Sequence, residues 1–160
     1  MKAEIIVRGC EVGGGISPDI ITSRVILGLY FKKVELTVVP LTSKNKSVVI
    51  PEDISSSKLP ICYDIDNNKH MDDILDIESY YESRVPQLPL ICDLKLQEIG
   101  ALSYKEFLSY LKTQNPDGLK KMKAGMEAVE QLLAKSNGPY INGENPCLAD
   151  CIFFPKLYQI

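Results

Sequence analysis

The first apolar run, Glu4-Ile5-Ile6-Val7-Arg8, is short and β-branched and gives way to Gly13-Gly14-Gly15, so it predicts a strand that ends in a loop. Next, Ser17-Pro18-Asp19 offers an N-cap, a proline for the first helical position and an acid for the first turn. A helix is expected to begin there. Ile21, Val25 and Leu29 recur on one face of it, and Lys32-Lys33 place cations at the negative end of its dipole. Val34 to Val39 is again β-branched and partly alternating. The resulting β-α-β unit implies two parallel strands with the helix packed on one face of their sheet.

Further on, the polar stretch Thr42 to Ser47 predicts a loop, and Pro51-Glu52-Asp53-Ile54 has the cap and acid pattern of a short helix. Leu59-Pro60-Ile61-Cys62-Tyr63 follows as a strand with a proline near its start. Asp66-Asn67-Asn68-Lys69 is turn chemistry, with room for one more strand before Ile74, Leu75, Ile77, Tyr80 and Tyr81 repeat at helical spacing. This order of elements is thioredoxin-like. Pro86 and Pro89 make 85–90 a stiff connection, which divides the chain into a thioredoxin-like domain, 1–84, and a helical domain, 91–160.

The helical domain carries two long patterns, Ser103 to Lys112 and Pro116 to Lys135, and a turn at Asn137-Gly138-Pro139. Its last segment, Cys147 to Ile160, leaves almost no polar face, because Leu148, Ala149, Ile152, Phe153, Phe154, Leu157 and Tyr158 surround the helix. A helix that is apolar all round is expected to be buried on every side. Cys147 and Asp150 have the spacing of a capping box with Cys in place of Ser or Thr, and the weak thiol acceptor should make that cap about 1 kcal/mol poorer.

Composition narrows the partners. The 160 residues are 45% hydrophobic, enough for one substantial core or two small lobes. With 18 Lys and Arg against 21 Asp and Glu, and no long single-sign run, the chain has no electrostatic footprint for nucleic acid. Arg24, Lys32, Lys33 and Glu35 interrupt the most apolar window, Ile20 to Leu41, and argue against a membrane span. Five cysteines without a C-x-x-C pair fit neither a disulfide framework nor a zinc site, and the start has no signal-peptide core, so a reducing, cytoplasmic setting is expected. Cys62 and Cys151 have the surroundings of core packing, whereas Cys10 follows the first strand and is a candidate displaced thiol. His70, the single histidine, has no nucleophile motif with it and is expected in a turn. No metal cluster is visible.

Glu4 to Arg8, Ser23-Arg24-Val25-Ile26-Leu27 with Lys32-Lys33, and above all Asn137-Gly138-Pro139-Tyr140-Ile141-Asn142-Gly143-Glu144 with Leu148-Ala149-Asp150 and Pro155-Lys156-Leu157-Tyr158 carry a resemblance. With these residues the sequence resembles the glutathione transferase superfamily, first the plant-type dehydroascorbate reductases and then the chloride intracellular channel and omega-class transferase proteins. The resemblance implies a thioredoxin-like domain followed by a helical domain. It also implies that the chain stops after the central buried helix, since those families continue for several more helices.

In those families a Cys-Pro pair opens the first helix, whose N-terminus stabilises a thiolate. Counting back from Lys32-Lys33 without a gap puts Asp19 at that position. A register two residues longer puts Ser17-Pro18 there, with a hydroxyl as in serine-using transferases. Ordinary helix capping by the same residues is an equal expectation, and in either register the thiol is gone. The resemblance makes Leu59-Pro60 the cis-proline element beside which a peptide backbone would pair. It puts Asp72-Asp73, or His70-Met71, where the family has a hydroxyl for the γ-glutamyl carboxylate. Arg8, with Lys46 as a lesser candidate, would attract an anion.

These departures lead to the expectation of a non-catalytic binding or scaffold module with a protein partner or self-association through the helical domain. Ile152, Phe153, Phe154 and Leu157 are the candidate contact residues. The alternatives are an active glutathione-dependent transferase or reductase and a chloride intracellular channel-like protein. Glutathione is the one cofactor implied.

Overall fold

The computed structural model describes residues 1–45, 50, 58–98 and 101–160, and these form two compact units, Met1–Pro89 and Leu90–Ile160. The short helix expected at Pro51-Glu52-Asp53-Ile54 and the candidate Lys46 lie outside the described residues.

In the first unit β1 (Lys2–Arg8) runs parallel to β2 (Glu35–Leu41), from Lys2 opposite Glu35 to Arg8 opposite Leu41. The other edge of β1 pairs antiparallel with β3 (Ile61–Asp64), which pairs antiparallel with β4 (Lys69–Met71). The order is β2-β1-β3-β4. Ala3, Ile5, Ile6 and Val7 are all buried, which explains why β1 lacks a clean polar alternation. β3 begins at Ile61, two residues later than the pattern suggests, and is preceded by a cis Leu59-Pro60 peptide bond.

The crossover helix α1 (Ile20–Phe31) and α2 (Ile74–Arg84) are held together by Arg24, whose Nε and Nη2 donate to the two carboxylate oxygens of Glu78 at 2.6 and 2.7 Å. A fork-on-fork pair of this kind fixes orientation as well as distance. Thr22, Val25 and Leu29 form the buried face of α1, while Ile21 stays 38% exposed. The inward stripe is thus turned slightly from the expected one, with Thr22 rather than Ile21 facing the sheet. Below it, Lys32 is buried. Its Nζ donates to the carbonyls of Val85 and Leu88 at 3.3 and 2.9 Å and meets a Glu82 oxygen at 2.7 Å, which ties the end of α1 to the end of α2.

The second unit contains α3 (Leu94–Gln97), α4 (Ala101–Thr113), α5 (Pro116–Lys135) and α6 (Leu148–Gln159). The single turn α3 was too short for a periodic signal. Helices α4 and α5 cross where Ser103 meets Gly125, and a Cβ on Gly125 would collide with the Ser103 hydroxyl. Asp150 enters the capping arrangement as expected. One of its oxygens accepts from the Cys147 N–H at 2.8 Å, and the other accepts from the Ile141 N–H at 2.9 Å, so one carboxylate fixes both the helix start and the preceding turn.

The expectation for α6 needs correction. Ala149, Cys151, Ile152, Phe153 and Pro155 are buried, but Phe154, Leu157 and Tyr158 are 58%, 39% and 81% exposed. The helix packs on α3 and α4, and these cover one side of it. Ile152 and Phe153 are therefore taken up by the chain itself, with Phe153 joining Val129, Ile141, Cys147 and Ala149 in the core of this unit. Of the four candidate contact residues only Phe154 and Leu157 present surface.

Candidate functional site

Because β3 is antiparallel to both of its neighbours, the end of β1, the start of β3 and the end of β4 lie at one edge of the sheet. Arg8, Leu59-Pro60 and Asp72-Asp73 emerge there. The chain returns to the same edge through a hairpin after β1, in which Gly9 bridges Ile16 and the Ser17 N–H donates to the Arg8 carbonyl at 2.8 Å. Gly9 is required at the base of that hairpin, where a Cβ would stand 2.9 Å from Thr42 Cγ2 and 3.0 Å from the Leu41 carbonyl. On its outer side the Glu11 carboxylate accepts from the Ser43 N–H and hydroxyl at 2.9 and 2.8 Å, and these two bonds hold its carboxyl below the usual range.

This construction delivers Ser17, Pro18 and Asp19 to the wall opposite Leu59-Pro60. Together with Arg8, Asp72 and Asp73 they border one cleft of about 530 Å³. Eight of the residues singled out in the N-terminal half thus lie around a single concavity, while Cys10, His70 and Met71 are not among its lining residues. Thr22, Lys58, Ile21 and Ile74 also line it and carry no motif that would have marked them.

The chemistry of the cleft is set by how its acids are engaged. Asp19, not Ser17, is the N-cap of α1, with extended backbone angles (φ −128°, ψ 128°) and an Oδ2 that accepts from the Thr22 N–H at 2.8 Å. The expected assignment of Ser17 as cap and Pro18 as first helical residue is corrected. The carboxylate two positions later reaches the free N–H groups, and Ser17 is left outside the helix, half-buried. No described residue hydrogen-bonds the Ser17 hydroxyl.

Asp73 caps α2 in the same manner, its Oδ1 accepting from the N–H groups of Leu75 and Asp76 at 2.8 and 3.2 Å. Both helix N-termini facing the cleft therefore carry the chain's own carboxylates, where an external anion would otherwise find donors and a favourable dipole. Asp72 and Arg8, by contrast, have no partner among the described residues. Thr22 is 2% exposed and its Oγ1 makes no hydrogen bond.

No cysteine lines the cleft. Cys10 sits half-buried in the hairpin, with its N–H donating to the Gly15 carbonyl at 3.0 Å. Cys62 is buried in β3, its Sγ 3.4 Å from the Tyr81 hydroxyl, and burial pushes its thiol up to about 11. Burial likewise pushes the Cys147 thiol up to about 12. Neither is a ready nucleophile. His70 lies on β4 rather than in a turn, stacked on Tyr63 with ring centroids 4.2 Å apart. Among the described residues no group of three or more His, Cys, Asp and Glu is placed to hold a metal ion.

No family model matches the chain. In sequence it is 29% identical over 141 residues to a protein of Oryza sativa subsp. japonica named as a probable cytosolic glutathione S-transferase, DHAR1. That match covers 87% of this chain and 65% of the rice protein. The chain therefore spans a little under two thirds of that relative's length.

Among solved structures, the chloride intracellular channel homologue EXC-4 from C. elegans superposes with a TM-score of 0.85 at 15% identity, over 99% of this chain and 67% of that one. Dehydroascorbate reductase from Chlamydomonas reinhardtii superposes with a TM-score of 0.70 at 22% identity, over 98% and 74%. The resemblance to the glutathione transferase superfamily holds, and the fold is the one it implied, a thioredoxin-like sheet followed by a helical part of glutathione transferase type.

Proposed function

We propose that this glutathione transferase-like chain is a binding or scaffold module without thiol chemistry. The observation that carries this reading is Asp19. By the ungapped count back from Lys32-Lys33 the resemblance puts it at the first-helix position where the reductases keep a cysteine, and its carboxylate is already bonded to the Thr22 N–H. A carboxylate cannot form a mixed disulfide, and no other thiol lines the cleft.

Asp73 adds to this by placing a negative charge where the resemblance requires a hydroxyl for the γ-glutamyl carboxylate. Through Coulomb repulsion it disfavours the anionic end of glutathione. Glutathione remains the ligand class to which the cleft is related by fold, and the protein is assigned to the cytoplasm and to contacts with other proteins. Phe154 and Leu157 are the exposed apolar residues offered to such contacts.

The test is a paired one: calorimetric titration with reduced glutathione, and assay of dehydroascorbate reduction with glutathione as reductant. Weak or absent binding and no turnover are expected. Turnover above the uncatalysed rate would overturn the proposal.

One observation favours a second reading. Ser17 lines the cleft with a hydroxyl that no described residue engages. A serine-type transferase would use that hydroxyl to hold the glutathione thiolate. Conjugation of an electrophile to glutathione that disappears in Ser17→Ala would establish it.

A channel-like role has less to support it, since no helix among the described residues is long and apolar enough to cross a membrane. Vesicle flotation, with and without oxidant, is expected to leave the protein in the dense fraction.

A further inference from the structure

The cleft holds two charged side chains that nothing in the described structure neutralises, and they stand at opposite ends of it. Arg8 ends β1 and Asp72 follows β4, while β3 runs between these strands. Two strand spacings and a two-residue offset in register separate their backbones, or about 12 Å. Leu59-Pro60, which opens β3, lies between. Neither charge has a partner among the described residues, whereas Asp19 and Asp73 are both engaged as helix caps.

Beside the capping carboxylates of Asp19 and Asp73 and the Lys58 cation, which is engaged elsewhere, the cleft thus offers a cation at the end of β1 and an anion after β4 that no described residue engages.

We infer that the cleft takes a short, extended, α-linked peptide in zwitterionic form, with its free amine at Asp72, its carboxylate at Arg8 and its backbone beside Leu59-Pro60. An extended chain advances about 3.3–3.6 Å per residue, so three residues span the separation. Glutathione has the right length but the wrong end, because its γ-glutamyl group brings a carboxylate as well as an amine to the acidic side. An α-linked tripeptide brings the amine alone. This inference rests on the reading of the chain as a binding module without thiol chemistry, and it names the class of ligand that module accepts.

The test uses calorimetric titration of the whole chain under reducing conditions with three probes: alanyl-cysteinyl-glycine, its N-acetyl derivative and reduced glutathione. The free tripeptide should bind about two- to fivefold more tightly than either of the others, the order expected for one partly exposed ion pair. Asp72→Asn should bring the free and acetylated peptides to equal affinity. Arg8→Gln should weaken both peptides by the same factor.

Equal binding of the free and acetylated peptides by the unaltered protein, a preference that survives in Asp72→Asn, or no binding of the free tripeptide would each overturn the inference. In these three outcomes the absence of thiol chemistry still stands. Glutathione binding more tightly than the free tripeptide would overturn the inference, whereas only turnover with glutathione would overturn the reading it rests on.

Discussion

Asp19 serves the first helix before it serves any ligand. Its carboxylate takes the Thr22 N–H, so Asp19→Ala should lower stability by about 1 kcal/mol in urea unfolding, while Asp19→Ser, which keeps a capping oxygen, should lose much less. Cys62 makes a different prediction. Its thiol titrates near 9.0 when unfolded and is pushed by burial to about 11 in the fold. Above the unfolded value the open chain releases a proton that the native chain keeps, so stability is full below about pH 9 and falls as pH rises toward 11. Chemical unfolding across that range should show a loss of about 2 kcal/mol from this group, and Cys62→Ala should flatten the slope.

At the scale of elements, two contacts decide how the helices are held. Lys32 is buried against two carbonyls and Glu82, so Lys32→Met leaves three acceptors without their donor and should cost about 3 kcal/mol by equilibrium denaturation. At the α4–α5 crossing, Gly125→Ala should cost about 1–3 kcal/mol through overpacking against Ser103. The Ser103 hydroxyl has no partner among the described residues and its removal strands no described donor, so Ser103→Ala should be close to neutral. The double variant should recover part of the Gly125→Ala loss, because the offending oxygen is gone. A thermodynamic cycle over the four proteins measures that coupling.

The long elements were legible from the sequence because each buries one face against the rest of its unit. The β-α-β unit, α2 and α5 are of this kind. What escaped was decided by single side chains. The start of α1 turned on which of Ser17 and Asp19 reaches the free N–H groups, and composition favours both equally. The half-exposed state of α6 turned on how much of it α3 and α4 cover, which no local pattern records.

Across the whole chain, the thioredoxin-like sheet explains why residues from four separate stretches of sequence meet. Antiparallel pairing of β3 with β1 and β4 brings Arg8, Leu59-Pro60 and Asp72-Asp73 to one edge, and the hairpin after β1 brings Ser17-Pro18-Asp19 to face them. Those residues were legible as candidates through a family resemblance and through their capping chemistry. Their state of engagement was not, since it depends on distances of a few tenths of an ångström. That state separates a cleft that has kept the shape of a glutathione site from one that has kept its chemistry. The central claim is that the shape persists while the carboxylates of Asp19 and Asp73 cap the two helix N-termini where the proposed reading puts the lost thiol and γ-glutamyl hydroxyl.

Calorimetric titration of the unaltered protein with reduced glutathione tests this claim most directly. Binding too weak to saturate at millimolar ligand is the predicted result, and stoichiometric micromolar binding would contradict the account.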